Sequence, residues 1–242
     1  MNRMPILLLL IGMISCQSEA DRIIQSSIEY HGFENFYTKV VEFKFRDYSY
    51  RIDRTQSPYL YTKKIELKDS ITGQPVIQID SLWNSTEFKR TINGKDLTLS
   101  EEDKARFSNS LNSVAYFYQL PLPLKDNAAV KTVLDKVMIK GKEYFTLKVS
   151  FTQENGGADH EDTYRYYFDT SSYALSYLSY NFHTNEGGVR FRKAYQSVKG
   201  KFIFLDYDNY KAPKNTPLDS LPLLFEKGKL ELLPKIVSEL GE

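Results

Sequence analysis

Cysteine is almost missing from this chain: 242 residues contain one, Cys16. A single thiol closes no intramolecular disulfide and builds no cysteine-based metal site. Histidine occurs three times and tryptophan once. A charge surplus is missing too, with 32 basic side chains against 31 acidic ones. Nothing in that balance points to nucleic acid or to an anionic membrane surface. No G-x-S-x-G elbow, Walker phosphate loop or H-E-x-x-H helix occurs, so the marks of serine hydrolases, P-loop enzymes and zinc proteases are absent. The chain is accordingly read as a non-enzyme that needs no cofactor, and as a monomer. Long apolar runs are also lacking. The longest, Ile6 to Ile14, falls well short of the roughly 20 residues that span a bilayer.

That run has another use. Arg3 precedes it as a short basic region, and Met13-Ile14-Ser15-Cys16 follows it. This is the layout of a secretory signal, and M-I-S-C resembles a bacterial lipobox, with Met13 in place of the usual leucine. The reading is a signal peptide over residues 1–15, lipid attachment at Cys16, and one β domain over residues 16–242. Each buried CH₂ of an attached acyl chain contributes ~0.8 kcal/mol to anchoring. The expected location is the cell envelope of a Gram-negative bacterium, lipid-anchored at the outer membrane. Without Arg3 the mature chain balances at 31 charges of each sign.

Aromatics are what the chain has in quantity, with 15 Phe and 18 Tyr. From Asp162 to Tyr210 four aromatic-rich runs of strand length alternate with Ser, Gly and Asn clusters, the pattern of a β-meander. Upstream, Ser18 caps a helix whose Ala20, Ile23, Ile24 and Ile28 form one apolar stripe, with Asp21 at the capping-box position and Gly32 as the stop. Val40 to Ile52 alternates as a strand whose apolar parity changes near Asp47, which predicts a bulge or bend there. Tyr59 to Leu67, Val76 to Trp83 and Glu87 to Leu99 read as further strands, the last turning at Asn93-Gly94. Ser100 opens a second helix with Phe107, Leu111 and Val114 or Ala115 on one face. Pro121 and Pro123 end it, and Gln119 to Leu124 reads as an exposed apolar loop, a lid or rim. A hairpin around Lys140-Gly141-Lys142 leads to the meander, and a short helix over Leu218 to Phe225 follows it. The fold class is mainly β (α+β): about ten strands in one large curved antiparallel sheet, a half-barrel, with the N-terminal and mid-chain helices on one face. Two helices cannot cover such a sheet, so a concave face remains.

This order of lipobox, helix ending in His31-Gly32, antiparallel sheet and mid-chain helix resembles the lipoprotein carrier and receptor proteins LolA and LolB. F-R-D-Y-S-Y (Phe45 to Tyr50), S-V-A-Y-F-Y-Q-L-P (Ser113 to Pro121), D-H-E-D-T-Y-R-Y-Y (Asp159 to Tyr167) and N-E-G-G-V-R-F-R-K-A-Y (Asn185 to Tyr195) resemble a family of Bacteroidota lipoproteins without an established activity. LolA-like folds take lipid or acyl chains into the hollow of the half-barrel. The resemblance therefore implies a membrane-tethered protein that binds a lipid, an acyl chain or a lipoprotein.

Candidate ligand-binding residues follow from position. Arg190 and Arg192 share one strand face and could clamp a carboxylate or phosphate headgroup; set against that, outward arginines could pair with Asp206 or Asp208 across the strands. Tyr116, Phe117 and Tyr118, with Leu120, Leu122 and Leu124, could line a pocket mouth. Asp159-His160-Glu161-Asp162 is the densest set of potential metal ligands, with His160 and Asp162 foremost. Together with Arg190 it defines the alternative of an envelope enzyme or metal protein. Strand alternation favours a solvated acidic loop instead. His31 reads as a structural helix end, and His183 as a residue without an identifiable partner.

Overall fold

The computed structural model describes residues 18–151, 162–183 and 186–240. The signal segment, Cys16, and Asp159, His160 and Glu161 lie outside the described residues. Helix α1 (Glu19–Tyr30) begins as its sequence dictates. Ser18 Oγ accepts the Asp21 backbone N–H at 3.1 Å and donates to the Asp21 carboxylate at 2.6 Å, which satisfies a helix-end donor. Its apolar stripe is buried.

Fourteen strands among the described residues form two antiparallel sheets of seven. The first holds β1 (Val40–Phe45), β2 (Tyr48–Asp53), β3 (Leu60–Lys68), β4 (Pro75–Trp83), β5 (Glu87–Ile92) and β6 (Lys95–Asp96) in chain order, with β14 (Glu239–Leu240) beside β1. Helix α2 (Glu101–Tyr118) leads to the second: β7 (Ala129–Ile139), β8 (Lys142–Phe151), β9 (Thr163–Asp169), β10 (Leu175–Phe182), β11 (Gly188–Lys199), β12 (Phe202–Ala212) and β13 (Glu231–Ile236). The mainly β, antiparallel class stands, and the sheets do not close on one another. The bulge or bend expected near Asp47 is a full reversal, a two-residue hairpin turn. Phe45 and Tyr48 pair directly across it, and Arg46 takes a φ of 55° without a Gly or Asn to announce the turn. The parity change was the chain reversing.

A single apolar cluster joins Ile24 of α1, Leu111 of α2, Ile52 and Leu82 of the first sheet, and Leu147 and Phe204 of the second. The meander also has a second packed face. Tyr177 and Phe191 project away from that cluster and meet α3 (Leu221–Glu226), with the Phe225 ring 4.9 Å from Phe191. Leu120, Leu122 and Leu124 are buried in the main cluster and form no exposed loop. The two prolines do end α2, but the chain folds back as a 3₁₀ turn over Leu122–Lys125 and carries its leucines under α1. No helix among the described residues is long and apolar enough to cross a membrane.

His31 and Gly32 bind α1 to the second sheet. His31 is fully buried. Its Nδ1–H donates to the Ile203 carbonyl at 2.7 Å, and Nε2 accepts the Leu175 N–H at 3.3 Å. One imidazole thus satisfies the starts of β12 and β10, and only the neutral ring can do both. Gly32 follows with φ 72°, and a Cβ there would stand 2.1 Å from the Lys201 carbonyl oxygen. Burial pushes the His31 imidazole down to about 4, so it is structural, as expected, but carries no charge toward the helix dipole. A depressed histidine means that the unfolded chain binds the extra proton. Stability from His31 is therefore complete above about pH 6.5 and is lost as pH falls toward 4, by about 3 kcal/mol in total. Urea denaturation of wild type and His31→Gln should show the wild-type advantage shrinking over that window. A constant difference from pH 7 to pH 4.5 contradicts this assignment.

Candidate functional site

A hollow of about 1110 Å³ lies between α2 and the inner faces of the two sheets. Strand register explains its walls, because directly opposed residues share a face. In the first sheet one inward row runs Phe43, Tyr50, Lys63, Asp80, Arg90 across five consecutive strands. It begins aromatic and ends charged. In the second sheet the rows Val149, Tyr164, Tyr180, Arg190 and Leu147, Tyr166, Leu178, Arg192 begin aliphatic and likewise end charged.

The charged end of the first row is held by Asp80, which is fully buried. Its Oδ1 and Oδ2 accept Arg90 Nε at 2.6 Å and Nη2 at 2.9 Å, and Lys63 Nζ stands 3.0 Å from Oδ2. The Arg90 guanidinium lies 3.6 Å from the centre of the Phe107 ring on α2. One carboxylate thus serves two cations, and the cluster keeps a net positive charge at the edge of the hollow. Sequence reasoning missed it. The available signal was one charged residue sharing the inward face with an apolar one in each of Tyr61-x-Lys63, Asp80-x-Leu82 and Phe88-x-Arg90.

Both proposed arginines line the hollow. Their cross-strand partners are Lys211 and Asn209, so the outward alternative with Asp206 and Asp208 does not occur. Asp208 faces Lys193 and accepts the Tyr195 hydroxyl, and Asp206 Oδ1 accepts the Ser238 N–H and hydroxyl. Arg192 is nine-tenths buried. Its guanidinium lies 4.2 Å from the Phe117 ring centre, and Nη2 donates to the Tyr180 hydroxyl at 2.7 Å. Arg190 is half-buried, stacks on Phe182 and donates to the Val189 carbonyl at 3.1 Å.

Of the three consecutive aromatics at the end of α2, Phe117 and Tyr118 line the hollow, as does Phe107 earlier in the helix. Tyr116 turns into the core, its hydroxyl 2.8 Å from that of Tyr166. Leu120, Leu122 and Leu124 do not reach the hollow, since they pack under α1. Asp162 is buried and lines the hollow, with His183 as its partner. Oδ1 accepts the His183 N–H and lies 3.1 Å from its Nδ1. Burial pushes the Asp162 carboxyl up, against the opposing pull of His183. His183, read as partnerless, pairs across β9 and β10. No group of three or more His, Cys, Asp or Glu side chains is placed to hold a metal ion among the described residues.

A family model described as a family of unknown function, DUF6503, matches residues 3–238. The chain belongs to the DUF6503 family. Two solved structures are similar to this DUF6503 member. One is a LolA superfamily protein from Nitrosomonas europaea, 12% identical, with a TM-score of 0.41, covering 93% of this chain and 95% of its own. The other is a candidate outer membrane lipoprotein-sorting protein domain from Vibrio parahaemolyticus, 8% identical, with a TM-score of 0.33, covering 78% and 86%. No curated protein matches the chain.

The buried cluster of this DUF6503 member can be tested by its stability. Asp80→Ala leaves Lys63 and Arg90 facing each other with no carboxylate between them, and should cost about 3–5 kcal/mol in urea denaturation. Glu101→Ala removes an ion pair with Lys104 on the exposed start of α2 and should move the midpoint little.

Proposed function

We propose that this protein is a cell-envelope binding module that takes an amphipathic ligand, whether a lipid, an acyl chain or a lipoprotein, into the hollow beneath α2. The hollow itself carries the reading. Protein interiors pack to near-crystalline density and leave few voids larger than a water molecule. A space of about 1110 Å³ is slightly larger than the roughly 300–1,000 Å³ of most ligand sites. Its walls offer the rings of Phe43, Phe117, Tyr164 and Tyr180 together with a few fixed polar groups, the mixture that an amphiphile requires.

On this reading residues 1–15 are a removed signal, Cys16 carries the lipid, and residues 16–242 form one domain. Helix α1 starts at Glu19, so the hollow is held close to the bilayer from which an amphiphile would come. The full-length chain with Cys16→Ser, which lacks the lipid acceptor, should bind a fluorescent fatty acid at one site. Val114→Trp places a large ring in the hollow from α2 and should weaken that binding at least about ten-fold, the effect of blocking one buried anchor. Wild-type binding by neither fluorescent fatty acid nor extracted membrane lipid sinks the proposal.

A further inference from the structure

The rim and floor of the hollow are not electrically even. Arg46, Lys63, Arg90, Arg106, Arg190 and Arg192 line it, against Asp162 and Asp206. Most of these cations are already answered. Arg90 and Lys63 share Asp80, and Arg106 pairs with Asp103 at 2.5 Å. Arg46 is exposed to solvent. Arg190 is only half-buried, so water can screen it.

Arg192 differs from all of them. It is nine-tenths buried, and no carboxylate lies within ion-pair distance of it among the described residues. Its guanidinium sits among the rings of Phe117, Tyr180 and Tyr207, at 4.2, 5.1 and 5.5 Å. Of its donors, Nη2 bonds the Tyr180 hydroxyl while Nε is buried without a partner. Arginine does not shed its proton on burial, so the charge stays. Aromatic faces stabilise a cation but accept no hydrogen bonds in its plane. The Nε–H is closed off from the hollow, but the side chain still brings an unanswered charge and the end of its guanidinium fork to the wall of an amphiphile-sized space. A planar or tetrahedral oxyanion answers that fork with two parallel hydrogen bonds.

We infer that the ligand is an acidic amphiphile whose carboxylate or phosphate head docks on Arg192, with its hydrocarbon running along the aromatic rows. This deepens and rests on the amphiphile-binding reading above. It gives Arg192, rather than the half-buried Arg190, the anchoring role.

The test uses the full-length Cys16→Ser chain and three probes that share one oleyl tail: oleate, oleoyl lysophosphatidate and the uncharged oleyl alcohol. At least one acidic probe should bind about 30-fold tighter than the alcohol, the range expected for hydrogen bonds to a charged group. The tighter of the two acids identifies the head. Arg192→Met keeps the length and apolar stem of the side chain while removing its charge. It should reduce the acidic preference to within about three-fold and leave alcohol binding in place. The ligand-free Tm should not fall, because the variant sheds a buried charge that no carboxylate answers, which offsets the lost hydrogen bond to Tyr180. A residue present only for structure would lower Tm and leave the acidic preference alone. Equal wild-type binding of acids and alcohol overturns the inference and leaves amphiphile binding intact, a comparison that needs no variant. Preference persisting in Arg192→Met also overturns it. Binding of none of the three removes the amphiphile reading and this inference together.

Discussion

The ring of Tyr118 lies between Phe43 of the first sheet and Phe204 of the second, with centroids 3.5 Å and 4.7 Å away. Through this stack the last turn of α2 touches both sheets at once, and the hollow depends on it. Each aromatic pair is worth about 0.5–1.5 kcal/mol beyond its buried area. The stack also has a cost to offset, since the Tyr118 hydroxyl is buried without a hydrogen-bond partner among the described residues. Gln119 adds a polar tie next to it. Its amide donates to the Tyr61 hydroxyl at 3.1 Å and accepts Arg54 Nε at 2.5 Å. With its C-terminal end fixed this way, α2 spans the space between the sheets, and Phe107, Val114 and Phe117 become its roof.

The same register that builds the sheets also grades the hollow. Each inward row starts in aliphatic or aromatic side chains and ends in a cation: Arg90 on one side, Arg190 and Arg192 on the other. Packing alone would favour apolar residues at all of these positions, because a buried ion pair is seldom more stabilising than a hydrophobic pair of the same size. Charges kept at core positions suit a site better than a core. On the proposed reading the gradient orients an amphiphile, its tail against Phe43, Tyr164 and Phe117 and its head toward the arginines.

Local signals in the sequence were the reliable ones. The Ser18 and Asp21 cap, the Asn93-Gly94 turn, with φ of 48° and 77°, and the span of α2 all depend on neighbours within a few residues. What failed depended on partners far along the chain. Asp206 and Asp208 looked like partners for the arginines because their strand follows directly, yet the eleven-pair register of β11 and β12 sets Asn209 and Lys211 opposite them. His183 looked isolated because Asp162 stands across a strand pair. The leucines after α2 looked exposed because two prolines forbid helix, while nothing local reveals that α1 covers them. The charged row was present in the sequence as three inward-parity exceptions on separate strands. Only pairing shows that they meet.

The claim that a ligand occupies this hollow can be tested most directly by photo-crosslinking. A fatty acid with a diazirine beside its carboxylate, irradiated on the Cys16→Ser protein, should label peptides from α2 around Phe117 and from β10 around Tyr180, the residues that surround Arg192. Labelling confined to the outer face, at Phe225 and the α3 surface, would contradict an occupant between α2 and the sheets.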